Sequence, residues 1–229
     1  METMKISVDN LIIETTRRCN MRCKHCLRGE AQKKDIDLFI IDQALMQIDN
    51  IYSLTFTGGE PSMNVPAINH TLEKCRELSI GIGSFYIATN GKNISEEFVL
   101  TCLRLYSYSE EKDMCQVSYS NDQYHTGGKD TELLSGLSFF HNRYEKGRID
   151  SLIFEGRAVS LNSPGRMNIE NSEINTKEDF REIQIYLNCR GEIINGCDWS
   201  YKNQKKHKLC NVSELTNFYN TLKDDDEND

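Results

Sequence analysis

The chain has 229 residues, long enough to bury one substantial core, so a single domain is the default reading. Its net charge of -8, from 27 Lys and Arg against 35 Asp and Glu, argues against broad affinity for nucleic acid or for an anionic membrane. Neither a secretory leader nor a run of about 18 apolar residues can be read, so the expectation is a soluble cytoplasmic protein, whose nine cysteines serve as metal ligands and buried thiols rather than disulfides.

Residues 11–16 (LIIETT) are β-branched and apolar and predict a buried strand that runs into a cysteine-rich loop. Asp37 is placed to cap a helix carrying Leu38, Ile41, Leu45 and Ile48 on one face. Residues 53–57 (SLTFT) predict a second strand ended by Gly58-Gly59, and Ile68, Leu72, Cys75 and Leu78 the helix after it, with Pro66 near its start. Residues 84–89 (SFYIAT) predict a third strand ended by Asn90-Gly91, followed by a helix capped by Ser95 with Phe98, Cys102 and Leu105 on one face.

A fourth strand is expected over 114–118, and a fourth helix with Leu134, Leu137, His141 and Tyr144 on its face. A short fifth strand follows at 152–155. Periodicity then fails over 161–179, which reads as a polar loop. Residues 183–187 and 192–194, joined at Arg190-Gly191, predict a hairpin, and a last helix starts near Ser213.

Repeated strand-helix units imply a parallel sheet, and without a glycine fingerprint for nucleotides an α/β partial TIM-type barrel fits better than a doubly wound sheet. The expected organisation is a barrel core over 1–180, a C-terminal hairpin and helix over 181–222 completing the same domain, and an acidic disordered tail over 223–229. In such barrels chemistry sits in the loops after strand C-termini, where the unusual motifs fall.

The loop from Cys19 through Cys23 to Cys26 has the spacing CxxxCxxC, which lets three thiolates converge on one iron-sulfur cluster and leaves one iron open. Composition alone predicts roughly 0.01 such matches in the chain. A structural zinc site would need a fourth ligand at a standard spacing, and His25 is poorly placed to join Cys26 on one ion.

On this loop the sequence resembles the radical S-adenosylmethionine (SAM) superfamily over nearly its whole length. Gly58-Gly59-Glu60-Pro61 is similar to the family's GGEP motif, Thr89-Asn90-Gly91 to its TNG turn, and Glu155-Gly156-Arg157-Ala158 to a Gly-Arg-Ala turn. The resemblance implies a partial (β/α)6 barrel, a 4Fe-4S cluster on Cys19, Cys23 and Cys26, and reductive cleavage of SAM to a 5′-deoxyadenosyl radical that abstracts a hydrogen atom from a substrate. It also implies an external electron donor such as flavodoxin or ferredoxin. SAM contacts are expected from Gly58, Gly59, Glu60, Thr89, Asn90, Ser118 and Arg157, with Arg157 able to pair with the SAM carboxylate. His25, where the family often has an aromatic residue, keeps a ring. Asp122 and His125 could face the substrate, and no catalytic residue is assigned beyond the cluster ligands.

Cys75, Cys102 and Cys115 fall on apolar faces and read as buried thiols. Residues 188–199, with Cys189 and Cys197, resemble the C-terminal hairpin of peptide-modifying members, where further cysteines such as Cys210 can bind a second cluster. The full auxiliary motif is absent. That hairpin favours a peptide substrate; a nucleoside or small metabolite, a glycyl-radical activase, and a non-catalytic iron-sulfur or zinc module are the alternatives.

Overall fold

The computed structural model describes residues 5–92, 94–125, 131–143, 148–161, 165–167 and 184–226. β1 (Ile6–Thr16), β2 (Ile48–Gly58), β3 (Gly81–Thr89), β4 (Gln116–Tyr119) and β5 (Phe140–Asn142) lie side by side in chain order and pair in parallel. β8 (Gln184–Leu187) adds in parallel on the other side of β1, and β9 (Glu192–Ile194) and β10 (Lys208–Asn211) extend that edge antiparallel. Among the described residues β5 and β10 are free edges, so the sheet is an open partial barrel of α/β type, with six parallel strands.

α1 (Leu38–Leu45), α2 (Val65–Glu77) and α3 (Glu96–Tyr108) fill the crossovers and pack on one another in sequence. Asp37 and Ser95 cap α1 and α3 by accepting from the amides of Phe39 and Phe98. The buried faces of these helices, including Ile41, Leu45, Ile68, Leu72, Phe98 and Leu105, close over Leu11, Ile13, Leu54, Phe56, Phe85 and Ile87 in one core. Burying each such side chain is worth about 1.5–3 kcal/mol.

Four expectations need correction. Ile48 does not extend α1; it opens β2 opposite Ile6, because both strands begin five residues before the apolar runs that predicted them. The fourth helix shrinks to α4 (Glu132–Ser135), stopped at Gly136, and His141 lies in β5 opposite Ser118. There Phe139 is buried edge-on to Phe85 and stacked on Tyr106, a pull that helical spacing did not anticipate; Tyr144 lies outside the described residues. The fifth predicted strand, β6 (Ser151–Ile153), leaves the main sheet to pair with β7 (Gly165–Met167) within the segment expected to be loop; most of 161–179 lies outside the described residues. α5 (Leu215–Asp226) runs four residues into the stretch assigned to the acidic tail, of which 227–229 lie outside the described residues.

A buried polar network fastens the C-terminal hairpin to β1. Glu14 and Arg17 pair while essentially inaccessible, and the Tyr186 hydroxyl and Gln204 Nε2 each donate to Glu14 at 2.8 Å. The Cys189 amide donates to the same carboxylate at 3.1 Å, and Arg28 lies over the Tyr186 ring at 5.0 Å. Burial alone would raise the Glu14 carboxyl, but the charges of Arg17 and Arg28 and the hydrogen bonds outweigh it and hold the group below its ordinary value. A carboxyl depressed by folding contributes stability that is present above its unfolded value and lost as pH falls.

Glu14→Ala leaves Arg17 buried and unpaired, and is expected to lower the unfolding free energy by about 3–5 kcal/mol in denaturant titrations. In wild type the contribution of Glu14 declines as pH drops below the 4.5 of a free glutamate, so the variant's midpoint should approach wild type in that range. An unchanged difference between the two from pH 7 to pH 3 refutes this role.

Candidate functional site

A cavity of about 420 Å³ opens at the C-terminal ends of the central parallel strands. Cys19, Cys23 and Cys26 all line it and are half-exposed, whereas Cys75, Cys102 and Cys115 are buried in the core. Their loop leaves β1 at Thr16 and closes tight turns through Cys26 N to Cys23 O and Gly29 N to Cys26 O, both 3.3 Å. Burial, reinforced by the neighbouring cysteines, pushes the Cys23 thiol up to about 11. Burial also raises Cys19, while Arg157 pulls both thiols the other way. Such a crowded set of thiols suits metal coordination, which replaces their protons with positive charge. Three half-exposed thiols on one loop, opening on a ligand-sized cavity, fit an iron-sulfur cluster with a free iron.

Gly58 and Gly59 are required by the chain itself. A Cβ on Gly58 would stand 2.1 Å from Thr16 O, and one on Gly59 2.0 Å from Arg18 O. The close approach lets Gly59 N and Glu60 N donate to these same carbonyls, at 2.7 and 2.8 Å, so the end of β2 holds the start of the cysteine loop.

Glu60, fully buried, ties three motifs together. It accepts from Ser62 N at 3.2 Å, Thr89 Oγ1 at 2.7 Å and Asn90 N at 2.8 Å. Burial raises its carboxyl against the pull of these donors. Asn90 in turn donates through Nδ2 to Asn20 Oδ1 at 2.9 Å and lies 3.8 Å from Cys19 Sγ. The GGEP and TNG residues are thus joined to the cysteine loop by direct contacts, a linkage invisible in the sequence because Glu60 and Asn90 are 30 residues apart.

Ser118 is buried within β4 and does not line the cavity; Ser120, two residues on and past the strand end, does. Near it His25 stacks on Tyr124 with ring centroids 4.6 Å apart and meets His125 edge-on at 4.9 Å. His125 Nδ1 is 2.7 Å from Asp122 Oδ2, and Tyr124 N donates to the other oxygen at 2.8 Å. Burial, with His125 beside it, lowers His25 to about 4, so its ring is neutral at neutral pH. Arg157 Nε and Nη1 donate to the loop carbonyls of Cys23 and Gly29.

The hairpin cysteines separate. Cys189 and Cys210 are packed in the main core, Cys189 donating its thiol to Glu14 O at 3.0 Å, while Cys197 reaches the cavity. Arg17 and Tyr201 also line the cavity, and sequence reasoning passed over both. A glutamate inside the apolar run 11–16 was the available signal, since an ionised group in a buried strand demands a partner.

Residues 13–105, which include the cysteine loop and both following motifs, match the family model described as the radical SAM superfamily. An uncharacterized protein of Methanocaldococcus jannaschii is 33% identical over 92 residues, 38% of this chain and 32% of that protein. The GTP 3′,8-cyclase of Chlorobaculum tepidum is 33% identical over 89 residues, 37% of this chain and 26% of the cyclase. The matched stretch therefore spans about a third or less of these relatives' own length. Among solved structures, native anSMEcpe with bound AdoMet and Cp18Cys peptide aligns with a TM-score of 0.42 and 14% identity, over 95% of this chain and 80% of that one. Streptococcus suis SuiB bound to precursor peptide SuiA aligns with a TM-score of 0.36 and 21% identity, over 52% of this chain and 25% of that one.

Glu60→Gln keeps one acceptor oxygen but sets an NH2 group against a backbone or hydroxyl donor. It is expected to cost about 1–3 kcal/mol in denaturant unfolding, from the donors left unpaired in the interior. Glu77→Gln, at the exposed end of α2, should stay within about 0.5 kcal/mol of wild type. Equal effects from both would refute the linking role of Glu60.

Proposed function

We propose that the chain is a radical SAM superfamily enzyme that cleaves SAM reductively and abstracts a hydrogen atom from a substrate in the cavity. The observation carrying this reading is that Cys19, Cys23 and Cys26 line one cavity with Gly58, Gly59, Glu60, Thr89 and Asn90. Cys19, Cys23 and Cys26 would hold a 4Fe-4S cluster, which would pass one electron from an external donor to bound SAM, so that the S–C5′ bond breaks to methionine and a 5′-deoxyadenosyl radical.

The chain's own residues have separable tasks in this reading. Glu60 and Asn90 hold the SAM-facing backbone against the cysteine loop, and the Gly58-Gly59 turn offers close approach to the methionine portion of SAM. Ser120 takes the cavity position expected of Ser118. His25, neutral and stacked on Tyr124, offers a flat face beside the cluster ligands. The water-shielding wall comes from the segment after β9, through Cys197, Asp198 and Tyr201. An external flavodoxin or ferredoxin would deliver the electron.

We infer a peptide as the substrate class, since the hairpin segment that resembles peptide-modifying enzymes contributes to the cavity wall. Anaerobically reconstituted protein given SAM and dithionite should form 5′-deoxyadenosine; persistent absence of this product with an intact cluster sinks the radical reading. Cys23→Ala should lose the brown chromophore and Cys75→Ala keep it. Hydrogen abstracted from substrate ends in 5′-deoxyadenosine, so the peptide fraction of a deuterated cell extract should label that product. Label from the small-molecule fraction alone would replace the peptide by a metabolite.

A further inference from the structure

The turn after β6 reaches the cysteine loop from a residue 134 positions later in the chain than Cys23. Arg157 makes three donations into that loop: its backbone N–H to Cys26 O at 2.9 Å, Nε to Cys23 O at 2.9 Å and Nη1 to Gly29 O at 2.6 Å. Gly156, at φ +56°, lies flat against the same stretch. A Cβ there would stand 2.4 Å from Leu27 O, 2.5 Å from Gly29 N and 2.6 Å from Cys26 O, so no side chain can enter. Two of the three carbonyls belong to cluster cysteines. The third belongs to Gly29, itself in the left-handed region at φ +87°.

A loop without helix or sheet pairing has to satisfy its carbonyls elsewhere, and a guanidinium with several donors in a rigid plane can fasten two of them at fixed spacing. A guanidinium that served as a carboxylate fork would present Nε and an Nη, or both Nη groups, to the ligand; here Nε and Nη1 face backbone oxygens. The nearby Glu30 carboxylate, 3.5 Å from Nη1, is largely exposed and adds little.

We propose that Gly156 and Arg157 form a latch that shapes the cysteine loop, with Arg157 a positioning residue for Cys23 and Cys26 rather than a partner of the SAM carboxylate. This rests on the reading of the loop as the cluster site. The latch makes the loop's geometry depend on a segment outside residues 13–105.

The test compares wild type, Arg157→Gln and Arg157→Lys as full chains. Amide hydrogen exchange in cluster-free protein should rise across residues 19–30, including Cys26 and Gly29, while amides of β2 and β3 keep their protection. After reconstitution, Arg157→Gln should lose iron to a chelator about tenfold faster or more, the scale of outer-shell effects on metal affinity. Arg157→Lys should fall between, since it keeps the charge and not the planar fork. Wild-type exchange and iron retention in Arg157→Gln overturn the latch, and if SAM binding alone weakens in that variant, Arg157 is a SAM ligand instead. Should Arg157→Gln fail to fold, wild-type protection of residues 19–30 in Arg157→Lys overturns the proposal by itself. Failure of wild type to take up iron counts against the cluster reading, and the cluster-free exchange comparison still decides the latch.

Discussion

The structure turns on how a loop of irregular backbone, carrying three thiols, is held open at the ends of a parallel sheet. Such a loop has no ladder or helix to absorb its carbonyls, and every one that it buries needs a donor from somewhere else. Here the donors come from two sides. Gly59 and Glu60, at the end of β2, take the carbonyls of Thr16 and Arg18 at its start, and Arg157 takes those of Cys23, Cys26 and Gly29 further along. Both sides demand glycine for the same reason. The partner backbones come so close that a single Cβ at Gly58, Gly59 or Gly156 would overlap a carbonyl oxygen.

Charge is distributed to suit. Glu14 and Arg17 are buried as a pair below the loop, with Arg28 and Tyr186 stacked beside them, so the Glu14 carboxylate is held between two cations. Glu60 sits behind the cavity with all its visible donors from one strand end and one turn, which joins the ends of β2 and β3 into one rigid wall. The titratable groups nearer the opening are different in kind. His25 is neutral, and His125 is held by a carboxylate that burial would raise but the hydrogen bond to His125 keeps low.

Local patterns carried far in this chain. The spacing of three cysteines, the glycine pair after an apolar strand and the Asn-Gly turn were each visible within a few residues, because each answers to a local constraint: ligand convergence, close backbone approach, left-handed turn geometry. Helices α1 to α3 and their caps were legible for the same reason, through 3.6-residue periodicity and the cap residues Asp37 and Ser95. The pattern misled where tertiary contacts outweighed local preference. His141 sits at helical spacing after Leu134 and Leu137, yet packing of Phe139 and Phe140 on Phe85, Tyr106 and Tyr119 makes the segment an edge strand. β6 has a strand's composition but pairs with β7, away from the sheet it was expected to join.

By itself, then, the sequence determined the class of the fold and singled out the three cysteines that share one loop, since alternation of strands and helices and the spacing of thiols are read within a single stretch of chain. The tertiary structure alone decided what each polar residue touches. Glu60 meets Thr89 and Asn90, Glu14 meets Tyr186 and Gln204, and Arg157 meets Cys23, across separations of 29 to 190 residues. The physical reason is that a buried charge or amide must find partners wherever the packed chain brings them, and no local periodicity records that meeting.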